Sequence, residues 1–132
     1  MTSRTITCNS NGNTAIEFAL AFPIFILLLI GALELGVLFL SSAGLKHAVN
    51  TAARQATISP TPSDNYLKAN ATEAFFGVDR SQLQFETVRG TDMDNGDYIE
   101  LKGSYRNLPI TTLVLAPRVI TERRKVWLQE AP

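Results

Sequence analysis

The chain has 132 residues, with twelve basic and twelve acidic side chains and a formal net charge of zero. This balance gives no support to nucleic-acid binding, which needs a basic surface. The one cysteine, Cys8, cannot form a disulfide within these residues. The length allows one membrane element and one small domain.

The first twelve residues are short and polar, with Arg4 as their only charged side chain. They show no hydrophobic periodicity, so we expect no stable structure in this segment. Its brevity is more typical of a leader than of a domain.

An apolar run follows from Ile16 to Leu40 and contains 25 residues. As a helix it would be roughly 37 Å long, whereas the hydrocarbon core of a bilayer is about 30 Å thick. The run therefore predicts a transmembrane helix over about residues 16–40. Two acids, Glu17 and Glu34, lie within it and need an explanation.

The helical pattern does not stop at Leu40. Alanine, leucine and valine recur at helical spacing over residues 41–58, and most polar side chains fall on other faces. The sequence therefore predicts one long helix over residues 13–58, with an amphipathic second half that packs on a small domain. Pro60 and Pro62 mark its end.

Three small or helix-breaking residues mark the apolar half as a packing element. Pro23 removes one backbone hydrogen bond, so we expect the helix to bend or loosen there. Ala32 and Gly36 share a face and would let another helix approach closely. Glu34 lies roughly 100° around the helix from Glu17. We therefore expect Glu34 to contact another subunit or to lie at the outer membrane interface, and not to pair with Glu17.

Residues 59–132 are predicted to form a small α+β domain. Tyr66–Phe76 has a helical pattern and ends at a glycine. Residues 82–87, 98–105 and 118–128 have strand patterns, and Asn95-Gly96 is a hairpin-turn signal. Residues 108–117, with a proline near each end, are interpreted as a loop or an edge segment. The predicted fold class is thus α+β, with the long helix packed against a small antiparallel sheet.

No residue pattern indicates catalysis, a cofactor or a metal. His47 is the one histidine and has no second ligand or nucleophile near it in sequence. Asp92, Asp94 and Asp97 do not have the spacing of an EF-hand loop. Residues 122–125 are interpreted as the solvent face of a strand. We therefore predict no enzyme activity, no cofactor, no metal site and no nucleic-acid partner.

The spacing from Gly12 to Glu17 is the most informative motif. If the chain is cut after Gly12, Asn13 becomes a free amine and Glu17 becomes the fifth residue. A carboxylate in lipid is costly unless paired, and the amine of a neighbouring copy would be a suitable partner. Alternatively, Glu17 lies at the headgroup level, where an acid is tolerated. The residues alone leave both interpretations open.

A glycine, four residues, then a glutamate before a long apolar helix resembles the class III signal of type IV pilins. The longer string GNTAIEFALAFPIFILLLIGALELG is similar to the TadE-like family of Tad (Flp) pilus and secretion systems. The similarity covers about residues 12–56. Phe18 stands where the major Flp pilins usually have tyrosine, which, together with the sizeable C-terminal domain, favours a minor TadE-like subunit.

The resemblance implies that residues 1–12 are a leader removed by a prepilin peptidase, with methylation of Asn13 as a further implied step. It also implies that Glu17 and Phe18 take part in assembling or priming a pilus used in adhesion or secretion. Other pilin subunits, the inner-membrane assembly platform and the lipid bilayer are the implied partners. We expect an inner-membrane protein with a cytoplasmic leader and an extracytoplasmic C-terminal domain, or a subunit of the extracellular filament.

Two other readings of the apolar run stay open at this point. In the first, the chain is an uncleaved single-pass membrane protein whose extracytoplasmic domain binds a partner. In the second, the chain is exported as a soluble domain after cleavage near Ala43. Two features argue against the second reading. Glu34 would lie inside the apolar region, and the run is longer than the apolar region of about 7–15 residues in ordinary signal peptides.

Overall fold

The computed structural model describes residues 10–59, 62–94, 96–109 and 116–128, with side chains from Thr14 onward. The architecture is α+β, as predicted, with one long helix and a small three-stranded antiparallel sheet. The elements in chain order are α1 (Ser10–Ile58), α2 (Asp64–Ala74), the 3-10 turn η1 (Arg80–Gln82), β1 (Leu83–Asp92), β2 (Gly96–Asn107) and β3 (Arg118–Trp127).

Helix α1 contains 49 residues, which corresponds to about 73 Å. It begins at Ser10, three residues before the predicted start, and continues without interruption through Pro23. A membrane helix can contain proline because neighbouring groups satisfy the carbonyl that the ring leaves without a donor.

Helix α2 is capped at both ends by local hydrogen bonds. The Ser63 hydroxyl accepts from the backbone N–H of Tyr66 at 3.3 Å, and the backbone N–H of Phe75 donates to the carbonyl of Ala71 at 3.1 Å. The helix therefore lies two residues earlier than the pattern from Tyr66 to Phe76 predicted. The N-cap signal is Ser63, because a short side-chain oxygen before a helix satisfies one of its free N–H groups.

The sheet has the strand order β1-β2-β3, and both pairs are antiparallel. Gly103 at the middle of β2 pairs with Phe85 on one side and Glu122 on the other. Gly96 has φ +81°, the left-handed conformation that a tight hairpin needs. The two strands predicted from period-two patterns and the third, predicted from strand propensity, are thereby confirmed. Residues 110–115, part of the predicted loop or edge segment, lie outside the described residues.

The core lies where α1 packs on β2 and on α2. Its fully buried members come from four places, namely Leu45, Ala48, Val49, Ala52, Ala53 and Ala56 of α1, Leu67 and Ala71 of α2, Phe75 after it, and Ile99, Leu101 and Tyr105 of β2. The buried face of α1 consists mostly of alanine, which lets the helix approach β2 and α2 closely.

Two glycines allow this close approach. A Cβ on Gly103 would lie 2.9 Å from Leu45 Cδ1 and 3.0 Å from Val49 Cγ2. A Cβ on Gly44 would lie 3.1 Å from the backbone carbonyl of Phe76. The absence of side chains at these two positions therefore sets the distance from α1 to the sheet and to the segment after α2.

Candidate membrane-anchoring and assembly site

The first half of α1 exposes apolar side chains in every direction. All residues from Thr14 to Leu29 are exposed, and Phe18, Leu20 and Ile24 keep more than 60% of their surface accessible, at 68%, 71% and 63%. Soluble proteins rarely expose contiguous apolar surface of this extent. Such a surface needs a lipid or protein environment around the whole helix.

Among the described residues, α1 is the one helix long and apolar enough to cross a membrane. Only 11% of its most apolar window is buried by the rest of the chain, so this half is not the core helix of a soluble domain. The chain is membrane-anchored through α1.

Gly12, Asn13 and Glu17 lie in one continuous helix with the apolar run. Glu17 is exposed near the start of that run. Phe18 stacks on Phe22, one turn further, with ring centroids 5.7 Å apart. The two predicted assembly residues therefore lie on the helix surface, where a neighbouring molecule can reach them.

The predicted helix-packing residues divide into two sets. Pro23, Ala32 and Gly36 are exposed, and a Cβ on Gly36 would meet nothing within 4 Å. Glu34, in contrast, is only 2% exposed. The first three residues lie on open helix surface, and the acid does not.

Glu34 belongs to the face of α1 that the C-terminal domain covers. It is followed at intervals of seven, four and three residues by Ser41, Leu45 and Ala48, all buried, and this spacing keeps a residue on one helix face. The buried face thus begins at Glu34, seven residues before the predicted amphipathic half. This spacing was visible in the sequence, but the apolar residues on every other face obscured it.

An ion pair that the sequence analysis did not find connects α2 to β1. Arg89 Nη2 lies 2.7 Å from Asp64 Oδ1, and Arg89 Nε donates to the same oxygen at 3.0 Å. Arg89 also donates to the backbone carbonyl of Pro62. The hydrogen bond from Arg89 holds the pKa of Asp64 below its usual value. The two residues are 25 positions apart, so spacing alone gives no signal.

Two of residues 122–125, predicted to form the solvent face of a strand, have charged or aromatic partners on other elements. Lys125 lies 3.8 Å above the centre of the Tyr98 ring and 3.9 Å from Asp92 Oδ2. Glu122 pairs with Lys46 of α1 at 3.6 Å. Between α1 and β3 is an open cleft of about 510 Å³, lined by Asn50, Ala53, Arg54, Thr57, Arg124, Lys125 and Val126.

The part of the chain that the structure describes has no group of side chains suited to a metal ion. No three His, Cys, Asp or Glu side chains there are placed to hold a metal ion. The ring of His47 packs on that of Phe76, with centroids 5.4 Å apart. The side chains with the clearest functional placement are therefore those of the exposed half of α1.

Residues 12–54 match the family model of TadE-like proteins. The resemblance predicted from the sequence is confirmed over this range, which begins at Gly12 and includes both the exposed and the buried half of α1. Comparison with curated proteins and with solved structures gives no match.

Proposed function

We propose that the chain is a TadE-like minor pilin, cut after Gly12 by a prepilin peptidase and needed to assemble or prime a Tad-type pilus used in adhesion or secretion. One observation supports this most. The TadE-like segment forms a helix whose first half is exposed and apolar on all sides, while its second half is fixed in a folded domain. A filament subunit needs such an anchor, because its apolar helix has to move from lipid into contact with other subunits.

In this proposal the amine of Asn13 and the carboxylate of Glu17 form the docking contact between copies. A carboxylate at the edge of the hydrocarbon region is costly when it enters lipid without a partner. An amine from the next subunit offsets that cost and fixes the register of docking. Phe18, beside Glu17, adds exposed apolar surface at the same place.

The proposed location is the bacterial inner membrane, with a cytoplasmic leader, an extracytoplasmic C-terminal domain, and later transfer to the filament. The proposed partners are the prepilin peptidase, other pilin subunits, the inner-membrane assembly platform and the bilayer. The chain acts as a structural subunit, without enzyme activity, cofactor or nucleic-acid partner. Methylation of Asn13 after cleavage is part of the proposal.

The packing of α1 bears on the alternative of export with cleavage near Ala43. Such a cut would make Gly44 the first residue. Gly44 is buried under the backbone of Phe76, and Ser41 and Glu34 lie on the same covered face. The cut would therefore remove part of the helix face that the domain packs on. An uncleaved single-pass protein would keep this packing, so processing has to be tested directly.

The test compares precursor processing and pilus yield in strains that carry variants of Gly12, Gly36 or Glu17. Gly12→Val is expected to leave uncut precursor in the membrane, because the residue before the cut has to fit the peptidase. Gly36→Val serves as the matched control and is expected to be cut normally. The mobility of the protein on an immunoblot measures both.

Glu17→Val is expected to be cut and to support no filaments, and Glu17→Asp should restore part of the yield. The amount of sheared filament measures this effect. Normal cutting of Gly12→Val would refute the leader assignment, and normal filaments with Glu17→Val would refute docking through the carboxylate.

A further inference from the structure

Strand β3 runs parallel to α1 and β2 runs antiparallel to it, so the start of β3 and the end of β2 point back toward the membrane anchor. Glu122 of β3 contacts Lys46, whereas Val126 lines the same cleft as Ala53 and Thr57, further along α1. Four residues of β3 thus correspond to about two turns of the helix. The start of β3 and the end of β2 lie on the anchor side of Lys46.

The height of these strand ends follows from the same geometry. Arg118 is four residues before Glu122, which is roughly 13 Å of strand and about nine residues of helix. It therefore lies near the level of Val37. If Glu17 lies at the opposite surface, a hydrocarbon core of about 30 Å ends some 20 helical residues later, again near Val37. With this placement of Glu17, the strand ends lie at the level of the bilayer surface.

Large apolar side chains are exposed toward this end of the domain. Leu108 follows β2 and is 55% exposed, and Val119 at the start of β3 is 61% exposed. Val78 is 66% exposed. It lies two residues after Phe76, whose backbone contacts Gly44. Apolar surface thus lies on both the sheet side and the α2 side of the helix.

The charges at the two ends of the domain are opposite. Arg80, Arg106 and Arg118 are exposed at the anchor end, where Asp79 accepts a hydrogen bond from the backbone N–H of Ser81 at 2.9 Å. The far end carries the β1–β2 hairpin, which is rich in acidic side chains, namely Asp92, Asp94 and Asp97. The anchor end therefore offers exposed arginines to anionic groups, whereas at the far end Asp92 lies beside Lys125.

We propose that the anchor end of the domain is a lipid-binding collar, formed by Val78, Leu108 and Val119 with Arg80, Arg106 and Arg118. Its occupant is the anionic headgroup layer of the leaflet on the domain's side. The apolar side chains enter the boundary between headgroups and acyl chains, and the arginines bind lipid phosphates, an arrangement typical of proteins at membrane surfaces. The collar is continuous with the membrane-spanning part of α1, and it requires that anchor but not the pilus role.

The experiment measures the depth of single tryptophans in liposomes that hold the full chain. In a Trp127→Phe background, Val119→Trp reports on the collar. Val88→Trp is the matched control, since Val88 is an exposed strand valine, at 53%, near the far end of the sheet. Phe25→Trp reports on the membrane span. The quenchers are phospholipids brominated on the acyl chains, mixed with phosphatidylcholine alone or with added phosphatidylglycerol.

With phosphatidylglycerol present, we expect Val119→Trp to be quenched nearly as strongly as Phe25→Trp, and Val88→Trp to be quenched little. The double substitution of Arg106→Gln with Arg118→Gln should reduce the quenching of Val119→Trp to the level of Val88→Trp. Equal quenching of Val119→Trp and Val88→Trp would overturn the collar. If the quenching of Val119→Trp is the same with and without phosphatidylglycerol and with and without the two arginines, anionic headgroups are not the occupant of the collar.

A second copy of the chain is the competing occupant. In that case the emission of Val119→Trp would shift with the protein-to-lipid ratio and would not respond to brominated lipid. That result would also overturn the proposal. Each variant retains the buried core, and a wild-type unfolding midpoint is the check that the domain is folded.

Discussion

The two halves of α1 belong to one helix but have different surroundings. Residues 14–33 are rich in phenylalanine, isoleucine and leucine and have almost no contact with the rest of the chain. Residues 34–58 have a face of alanine with leucine and valine, and that face is buried by α2 and the sheet. Large side chains cover the half of the helix that is exposed to lipid. Small side chains cover the face that packs on the domain, where they allow close contact.

The difference shows how one helix can combine two roles. Apolar side chains are tolerated equally by lipid and by other apolar helices, so the first half can exchange one for the other at little cost. The second half is held by specific contacts such as those of Phe75 and Gly103, so the domain keeps its position on α1. Substitutions of the same type in the two halves should therefore have very different effects on folding.

The largest expected effect comes from a pair of phenylalanines. Phe75 is fully buried and its ring lies 5.1 Å from that of Tyr105. Phe75→Ala should lower the free energy of unfolding of the domain by about 3–5 kcal/mol, since it removes the ring and leaves a cavity. Phe25→Ala, at a residue that is 59% exposed, should leave it unchanged. Denaturant unfolding in micelles, followed by the fluorescence of Trp127, measures both. A similar loss in the two variants would mean that the halves are not energetically distinct.

A pair of glycines sharpens the comparison with a smaller effect. Gly103→Val should destabilise the domain by about 1–3 kcal/mol, because its new atoms would overlap Leu45 and Val49 in a packed core. Gly36→Val has open space around it and should leave domain stability unchanged. Thermal unfolding monitored by near-ultraviolet circular dichroism gives both midpoints. A tolerated Gly103→Val would show that α1 is not held closely against β2.

The smallest expected effect is at the ion pair between α2 and β1. Asp64→Asn should cost about 0.2–1 kcal/mol at neutral pH, because Asp64 and Arg89 are both partly exposed. The pKa of Asp64 is lower in the folded chain than its usual value near 4. The stabilisation is therefore present above that usual value and is lost as pH falls through the lower, folded-state pKa.

The check is the difference in unfolding free energy between wild type and Asp64→Asn, measured from pH 7 down to pH 2. It should be constant above about pH 5 and should vanish in acid. Asp94→Asn in the exposed hairpin is the matched control. A difference that persists unchanged at pH 2 would show that the substitution acts by another route.

Much of the fold could be predicted because its patterns are local. The strands follow alternation around residues such as Phe85 and Leu101, and the amphipathic half of α1 follows the alanine spacing. Contacts between distant segments could not be predicted. Three such features depend on how separate elements meet in space. They are the burial of Glu34, the close approach of α1 to Gly103 and the pairing of Arg89 with Asp64.

The candidate site divides in the same way. The spacing from Gly12 to Glu17 is a local motif, and the family resemblance gave it a meaning that its physical chemistry left open. The collar formed by Leu108, Val119 and Arg118 was not predicted, since it depends on the direction in which the sheet runs along α1. No periodicity in the sequence records that direction.

The most direct test of the proposed function is the mass of the N-terminus in the native membrane and in a strain without the prepilin peptidase. We predict that the mature chain begins at Asn13 and that the strain without the peptidase retains residues 1–12. A chain that begins at Met1 or Thr2 in both strains, or at Gly44, would contradict the central claim that α1 is a processed anchor that passes from the bilayer to the filament.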